Sequence, residues 1–214
     1  MRINENMVFR FKEKDNAECI AFLQRILDRL GLSEDYDMMI DASAGDLWTD
    51  NGYKFALTDG SHRSTEGLND YWMKLIEEYG IGFLEDPFGE YDHEGWKKLT
   101  IKQSECKIVG DNLYSSDADR IEEGSRGGWT NGVIIKPNQA GTVSAVLRAI
   151  EASKRMNQIA ITSYRSISTE STFLALLTVI GGVGYMKIGP LHTDYSSIMR
   201  LNEIVRLTGV PLDH

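Results

Sequence analysis

Ile81-Gly82-Phe83-Leu84-Glu85 is a short apolar run that stops at a carboxylate, and five other segments share the design. Met38-Met39-Ile40 runs into Asp41, Ile108-Val109-Gly110 into Asp111, and Val133-Ile134-Ile135 into Lys136. Ile159-Ala160-Ile161 leads towards Tyr164-Arg165-Ser166, and Tyr185-Met186 runs into Lys187. Successive run ends lie 44, 26, 25, 28 and 23 residues apart. About 25–30 residues is what one strand and its returning helix consume. The spacing predicts parallel strands over residues 36–41, 81–85, 107–111, 132–136, 159–163 and 185–187. In a parallel (β/α) barrel every strand ends on the same face, where catalytic groups sit. The predicted fold is therefore α/β, a parallel (β/α) barrel. A complete barrel has eight strand–helix units and about 250 residues. This chain has 214 residues and six such units, so the expected barrel is incomplete.

The composition, 42% hydrophobic and 26% charged, fits one soluble globular domain over residues 1–214. The net charge is −9 and no basic stripe is visible, which argues against nucleic acid as a partner. No run approaches the roughly 18 apolar residues of a membrane span. Met1-Arg2-Ile3-Asn4-Glu5-Asn6 does not read as a signal peptide. Cys19 and Cys106 form no metal-binding pattern and read as buried or half-buried thiols. These features together predict a cytoplasmic protein.

Ala17, Ile20, Leu23, Ile26, Leu27 and Leu30 fall on one helical face, with Asp15 as the N-cap and Gly31 as the stop. Asp50-Asn51-Gly52 is a hairpin signal inside the long interval between Asp41 and Glu85. Helices are expected over residues 65–79 and near 93–99, 116–123, 142–157, 172–180 and 196–208. Met7-Val8-Phe9-Arg10-Phe11 reads as at most a frayed strand end. Trp48, Trp72, Trp96 and Trp129 read as packing residues rather than a stacking platform.

One acid after a strand is commonly a helix cap or a turn residue. Asp41, Glu85 and Asp111 in successive units are a different pattern. Carboxylates about 4 Å apart repel by roughly 1–4 kcal/mol per pair. A hard divalent cation such as Mg²⁺ relieves that repulsion. Lys136 and Lys187 follow apolar strands and are expected over the barrel mouth. A lysine acting as a base must be neutral, and neighbouring positive charge favours the neutral form. This set suits removal of a proton next to a carboxylate, with metal charge stabilising the product. Arg165-Ser166 is a candidate phosphate clamp.

At these residues the chain resembles the enolases, the phosphopyruvate hydratases. The resemblance runs through Met39-Ile40-Asp41-Ala42-Ser43-Ala44-Gly45-Asp46 and Leu84-Glu85-Asp86-Pro87-Phe88 with Glu94-Gly95-Trp96. It continues in Ile108-Val109-Gly110-Asp111-Asn112-Leu113 and Ile135-Lys136-Pro137-Asn138-Gln139-Ala140-Gly141, then Arg165-Ser166 and Lys187-Ile188-Gly189. Order and spacing are similar to the second half of an enolase, from about residue 4 onward. The resemblance implies that Asp41, Glu85 and Asp111 are Mg²⁺ ligands and that Lys136 removes the C2 proton of 2-phosphoglycerate. It implies that Lys187 holds the substrate carboxylate and that Arg165 and Ser166 contact the phosphate. Glu5 lies about one position from the family's general acid, without the surrounding Asp-Glu-Gly-Gly pattern.

The chain departs from the family in three places. Tyr164 stands where the family has histidine, Asn112 where it has a second acid, and Ile167-Ser168-Thr169 where it has Gly-Glu-Thr. The family's first half, with its capping domain, two barrel strands, mobile loop and further catalytic residues, has no counterpart here. The expected activity is Mg²⁺-dependent dehydration of 2-phosphoglycerate, a phosphorylated small molecule, with little activity for the chain alone. The expected partner is a separate N-terminal enolase half, with self-association second. The competing readings are a non-catalytic binding or scaffold protein, and an enzyme that uses Tyr164 and Asn112 on a different carboxylate.

Overall fold

The computed structural model describes residues 2–3, 9–10, 15–164, 169, 171–190 and 195–209. The chain divides into two compact units. One is built mainly on Val8–Leu113 with Gly127–Asn131, the other mainly on Tyr114–Arg126 with Gly132–His214.

The first unit opens with two short antiparallel strands, β1 (Arg2–Ile3) and β2 (Phe9–Arg10). Helix α1 (Asn16–Leu30) follows. Asp15 caps it by accepting the Ala17 N–H at 2.9 Å, and Gly31 ends it at φ 69°. Strand β3 (Met38–Asp41) leads into a 3₁₀ turn over Ala44–Leu47. The hairpin expected at Asn51 joins β4 (Trp48–Thr49) to β5 (Gly52–Lys54), and β6 (His62–Arg63) adds a third antiparallel strand. Two polar residues carry no alternating pattern, so β6 left no trace in the sequence. Helix α2 (Thr65–Tyr79), β7 (Ile81–Glu85), α3 (His93–Lys102) and β8 (Lys107–Gly110) complete this unit's alternation.

Strands β3, β7 and β8 lie side by side in that order, all parallel. Their register holds one irregularity. Met38 faces Ile81 but Met39 faces Phe83, which leaves Gly82 as an extra residue on β7. A side chain at Gly82 would bring its Cβ within 3.0 Å of Asp37 Cβ, so a residue without one suits the spot. Past the extra residue, Asp41 sits level with Glu85.

The second unit contains α4 (Ala118–Gly127, its last residue belonging to the first unit), β9 (Gly132–Ile135) and α5 (Pro137–Ala140). It continues with α6 (Val143–Arg155), β10 (Ile159–Thr162), α7 (Phe173–Ile180), β11 (Tyr185–Met186) and α8 (Tyr195–Thr208). Strands β9, β10 and β11 are again neighbours in sequence order and parallel. All four residues of β9 are buried, as expected of a parallel strand covered on both faces. The one-turn helix α5 was not anticipated. Pro137 at its first position suits a helix start, and Gly141 ends it.

The cores are those of ordinary α/β layers. In the first unit Leu68, Leu84, Trp96, Leu99 and Ile108 have no solvent exposure to speak of. Val133, Ile134, Ile135, Ala149 and Ile161 play that part in the second. Each large aliphatic side chain so buried contributes roughly 1.5–3 kcal/mol. Trp72 and Trp96 are core residues as expected, whereas Trp48 is 52% exposed and Trp129 stacks on His93 at 3.7 Å. No helix among the described residues is long and apolar enough to cross a membrane.

Cys106 lies wholly inside the first unit, and burial pushes its thiol up to about 12. Only the thiolate reacts with alkylating reagents. Mass-spectrometric mapping after alkylation at pH 8 is expected to find Cys106 unmodified in the folded protein and modified after denaturation.

Candidate functional site

The three acids all belong to the first unit. Parallel register places Asp41 and Glu85 side by side at the ends of β3 and β7. Val109 of β8 is level with Glu85, and Asp111 follows two residues later. Residues two apart on a strand share a face, so the pattern carries Asp111 to the same side one step further out. Glu85 is fully buried and Asp111 is 4% exposed, while Asp41 is exposed. Asp41 Oδ1 accepts the Ser43 N–H at 3.2 Å and the Ser43 hydroxyl at 2.9 Å.

Asp86, directly after Glu85, ties these strand ends together. Its N–H donates to the Val109 carbonyl at 3.0 Å, and its carbonyl accepts the Ala44 N–H at 2.9 Å. Its carboxylate accepts the Asp111 N–H at 2.8 Å and the Asn112 N–H at 2.9 Å. Burial pushes the Asp86 carboxyl up to about 7. The charges of Asp111 and Asp41 push the same way, and the two backbone N–H groups oppose them.

The segment after Asp86 is pinned from several sides. The Trp72 indole donates to the Pro87 carbonyl at 2.8 Å, and the Trp96 indole to the Gly89 carbonyl at 3.1 Å. The Gly89 N–H donates to the Tyr53 hydroxyl at 3.0 Å, and that hydroxyl donates to Asp92 at 2.6 Å. Burial and the Asp92 carboxylate raise the Tyr53 pKa well above the ordinary phenol value. A cavity of about 480 Å³ opens here, lined in part by Asp46, Trp48, Asp86, Tyr91 and Asn112. A larger cavity, about 960 Å³, runs between α1 and α2 and is lined by none of the strand-end groups. The smaller of these two reaches Asp86 and Asn112 next to the strand ends, and a further cavity of about 550 Å³ is lined by Asp41.

Among the described residues, no three carboxylate, imidazole or thiol groups are gathered into a ready-made metal cage. The donor set nevertheless fits a hard cation. It consists of carboxylate oxygens only, at or just beyond the ends of neighbouring parallel strands, two of the three groups buried.

The two lysines belong to the second unit. Ile135 and Met186 are both level with Thr162 of β10. Lys136 and Lys187 therefore leave the row one residue later, on either side of Ser163. The Ser163 N–H donates to the Ile135 carbonyl at 2.9 Å and the Lys187 N–H to the Thr162 carbonyl at 2.8 Å. Strands next but one are separated by about 10 Å. Ser116, buried and at φ 58°, accepts the Lys136 N–H at 2.8 Å and donates to Gln139 Oε1 at 2.6 Å. This fixes the Lys136-Pro137-Asn138-Gln139 turn.

Tyr164 is half-buried beneath the Arg200 guanidinium, 3.8 Å from its ring centre. Arg200, 2% exposed, also donates to the Thr169 carbonyl at 2.9 Å and the Ser196 hydroxyl at 3.0 Å. A side chain at Gly189 would collide with the Tyr164 hydroxyl. Arg165, Ser166 and Glu5 lie outside the described residues.

Residues 9–210 match the family described as "Enolase, C-terminal TIM barrel domain". The chain belongs to the enolase family. A curated relative, the enolase of Natranaerobius thermophilus, is 33% identical over 200 residues, covering 91% of this chain and 46% of that protein. The chain spans about half the length of the enolase it matches. Its α/β fold is of the enolase barrel type, with six parallel strands among the described residues where a complete barrel has eight.

Four residues that hold candidate groups within their own unit carry no role in the sequence analysis: Tyr53 and Asp86 in the first unit, Ser116 and Arg200 in the second. For Asp86 the available signal was a second acid directly before Pro87. For the others nothing local distinguishes them from ordinary polar residues, since their partners lie 20 or more residues away. Tyr53→Phe removes a buried hydroxyl that serves Gly89 and Asp92. It is expected to lower stability by about 1–3 kcal/mol, read as a lower urea midpoint at unchanged slope.

Proposed function

We propose that this chain supplies the cation- and substrate-holding part of a carbon–oxygen lyase of the enolase type. The reaction is reversible dehydration of 2-phosphoglycerate to phosphoenolpyruvate. The observation that supports it is the level placement of Asp41 with Glu85, and of Lys136 with Lys187, at the ends of parallel strands in an enolase-family chain.

In this reading Asp41, Glu85 and Asp111 hold Mg²⁺, whose charge stabilises the negative charge that develops on the substrate carboxylate. Lys136 takes the proton from C2. The electron pair of that C–H bond becomes the C2–C3 double bond, and the C3 hydroxyl leaves as water after gaining a proton. Glu5 is the candidate donor of that proton. Lys187 pairs with the substrate carboxylate, and Arg165 with Ser166 grips the phosphate as a planar donor fork suits.

The remaining groups come from a complementary front half, in the same or another polypeptide. Two facts support this. The chain spans 46% of the matched enolase, and β3 pairs only with β7 among the described strands. An open strand edge invites pairing, so self-association is the second way to cover it.

Phosphoenolpyruvate formation, followed by its ultraviolet absorbance with Mg²⁺ present, tests the reading. The chain with a complementing enolase front half is expected to turn over 2-phosphoglycerate, and the chain alone to be slower by about 100-fold or more. A complemented assembly that binds Mg²⁺ yet turns over nothing would leave the scaffold reading in its place. In the active assembly, Lys136→Ala is expected to abolish exchange of the C2 proton with solvent, followed by NMR. Persistence of that exchange at the parental rate would move the base elsewhere.

A further inference from the structure

We propose that Asp86 is a positioning residue whose buried carboxylate sets the backbone of Asp111 and Asn112, and through it the aim of the Asp111 carboxylate. The role rests on the cation reading given above. Asp86 is joined to the segments after three neighbouring strands. It donates to Val109 of β8, accepts from Ala44 beyond β3, and itself follows β7. Each carboxylate oxygen takes a different N–H, from Asp111 at 2.8 Å and from Asn112 at 2.9 Å.

The choice of an acid here has a chemical reason. An asparagine has one accepting oxygen, and its amide nitrogen would face the second N–H. Only a carboxylate satisfies both donors from two atoms. The position is otherwise unfavourable for an acid. It is 3% exposed and stands near the carboxylates of Asp111 and Asp41. A tie that costs charge burial beside a candidate ligand fits the outer-shell arrangement of metal sites, where such partners orient the ligands.

The test compares the full chain with Asp86→Asn, Asp86→Ala and Asp111→Ala. Amide hydrogen exchange is measured without metal, Mg²⁺ binding by calorimetry, and folding by urea titration. Asp86→Asn is expected to remain cooperatively folded and to speed exchange at Asp111 or Asn112 at least tenfold. It is also expected to weaken Mg²⁺ binding by about 10–100-fold, with Asp86→Ala at least as weak. Unchanged exchange at both amides in Asp86→Asn would overturn the positioning geometry. Altered exchange with Mg²⁺ affinity within twofold of the parent would overturn the functional role and leave a structural tie. A parent chain that takes up no Mg²⁺, or an Asp111→Ala variant that binds it as the parent does, would overturn the cation reading and the role together. The amide exchange would still report the geometry separately.

Discussion

The register of β3 against β7 is the constraint on which the candidate site depends. With Met38 opposite Ile81, an unbroken ladder would set Asp41 opposite Leu84. The extra residue at Gly82 moves the pairing by one and sets Asp41 opposite Glu85. Because side chains alternate between faces, a slip of one residue exchanges the groups on the two sides of a strand. The local irregularity therefore decides whether two carboxylates share a level. Gly82 permits it because a side chain there would crowd Asp37.

Beyond the strand ends, position passes from regular pairing to side-chain ties. In the first unit Asp86 joins the segments that follow three strands, and Tyr53 with Asp92, Trp72 and Trp96 fixes the run from Pro87 to Gly89. In the second unit Ser116 holds the turn that begins at Lys136. Arg200 stacks on Tyr164 and donates to the Thr169 carbonyl. Groups that must be accurate to a fraction of an ångström are held by packed neighbours rather than by the loops that carry them.

Much of this architecture was legible in the sequence. The six apolar runs fell within one or two residues of β3, β7, β8, β9, β10 and β11, because buried parallel strands are short and almost continuously apolar. Asp15 and Gly31 bounded α1 as read, since caps are local chemistry. What was not legible depends on partners distant in sequence. Gly82 reads as an ordinary strand glycine until Asp37 is placed beside it. The hydroxyls of Tyr53 and Ser116 acquire roles only when segments 36 and 20 residues away arrive. Strand β6 and helix α5 were too short to produce a period. The lining-up of Asp41 with Glu85 needed the register, which no single strand carries.

The direct measurement is a crystal structure of the chain grown with Mn²⁺ as a stand-in for Mg²⁺, analysed by its anomalous signal. The account predicts one strong peak within coordination distance, about 2.1 Å for a small hard cation, of carboxylate oxygens from Asp41, Glu85 and Asp111. A peak bound elsewhere, or Asp41, Glu85 and Asp111 fully ordered with no metal between them at saturating Mn²⁺, would contradict it.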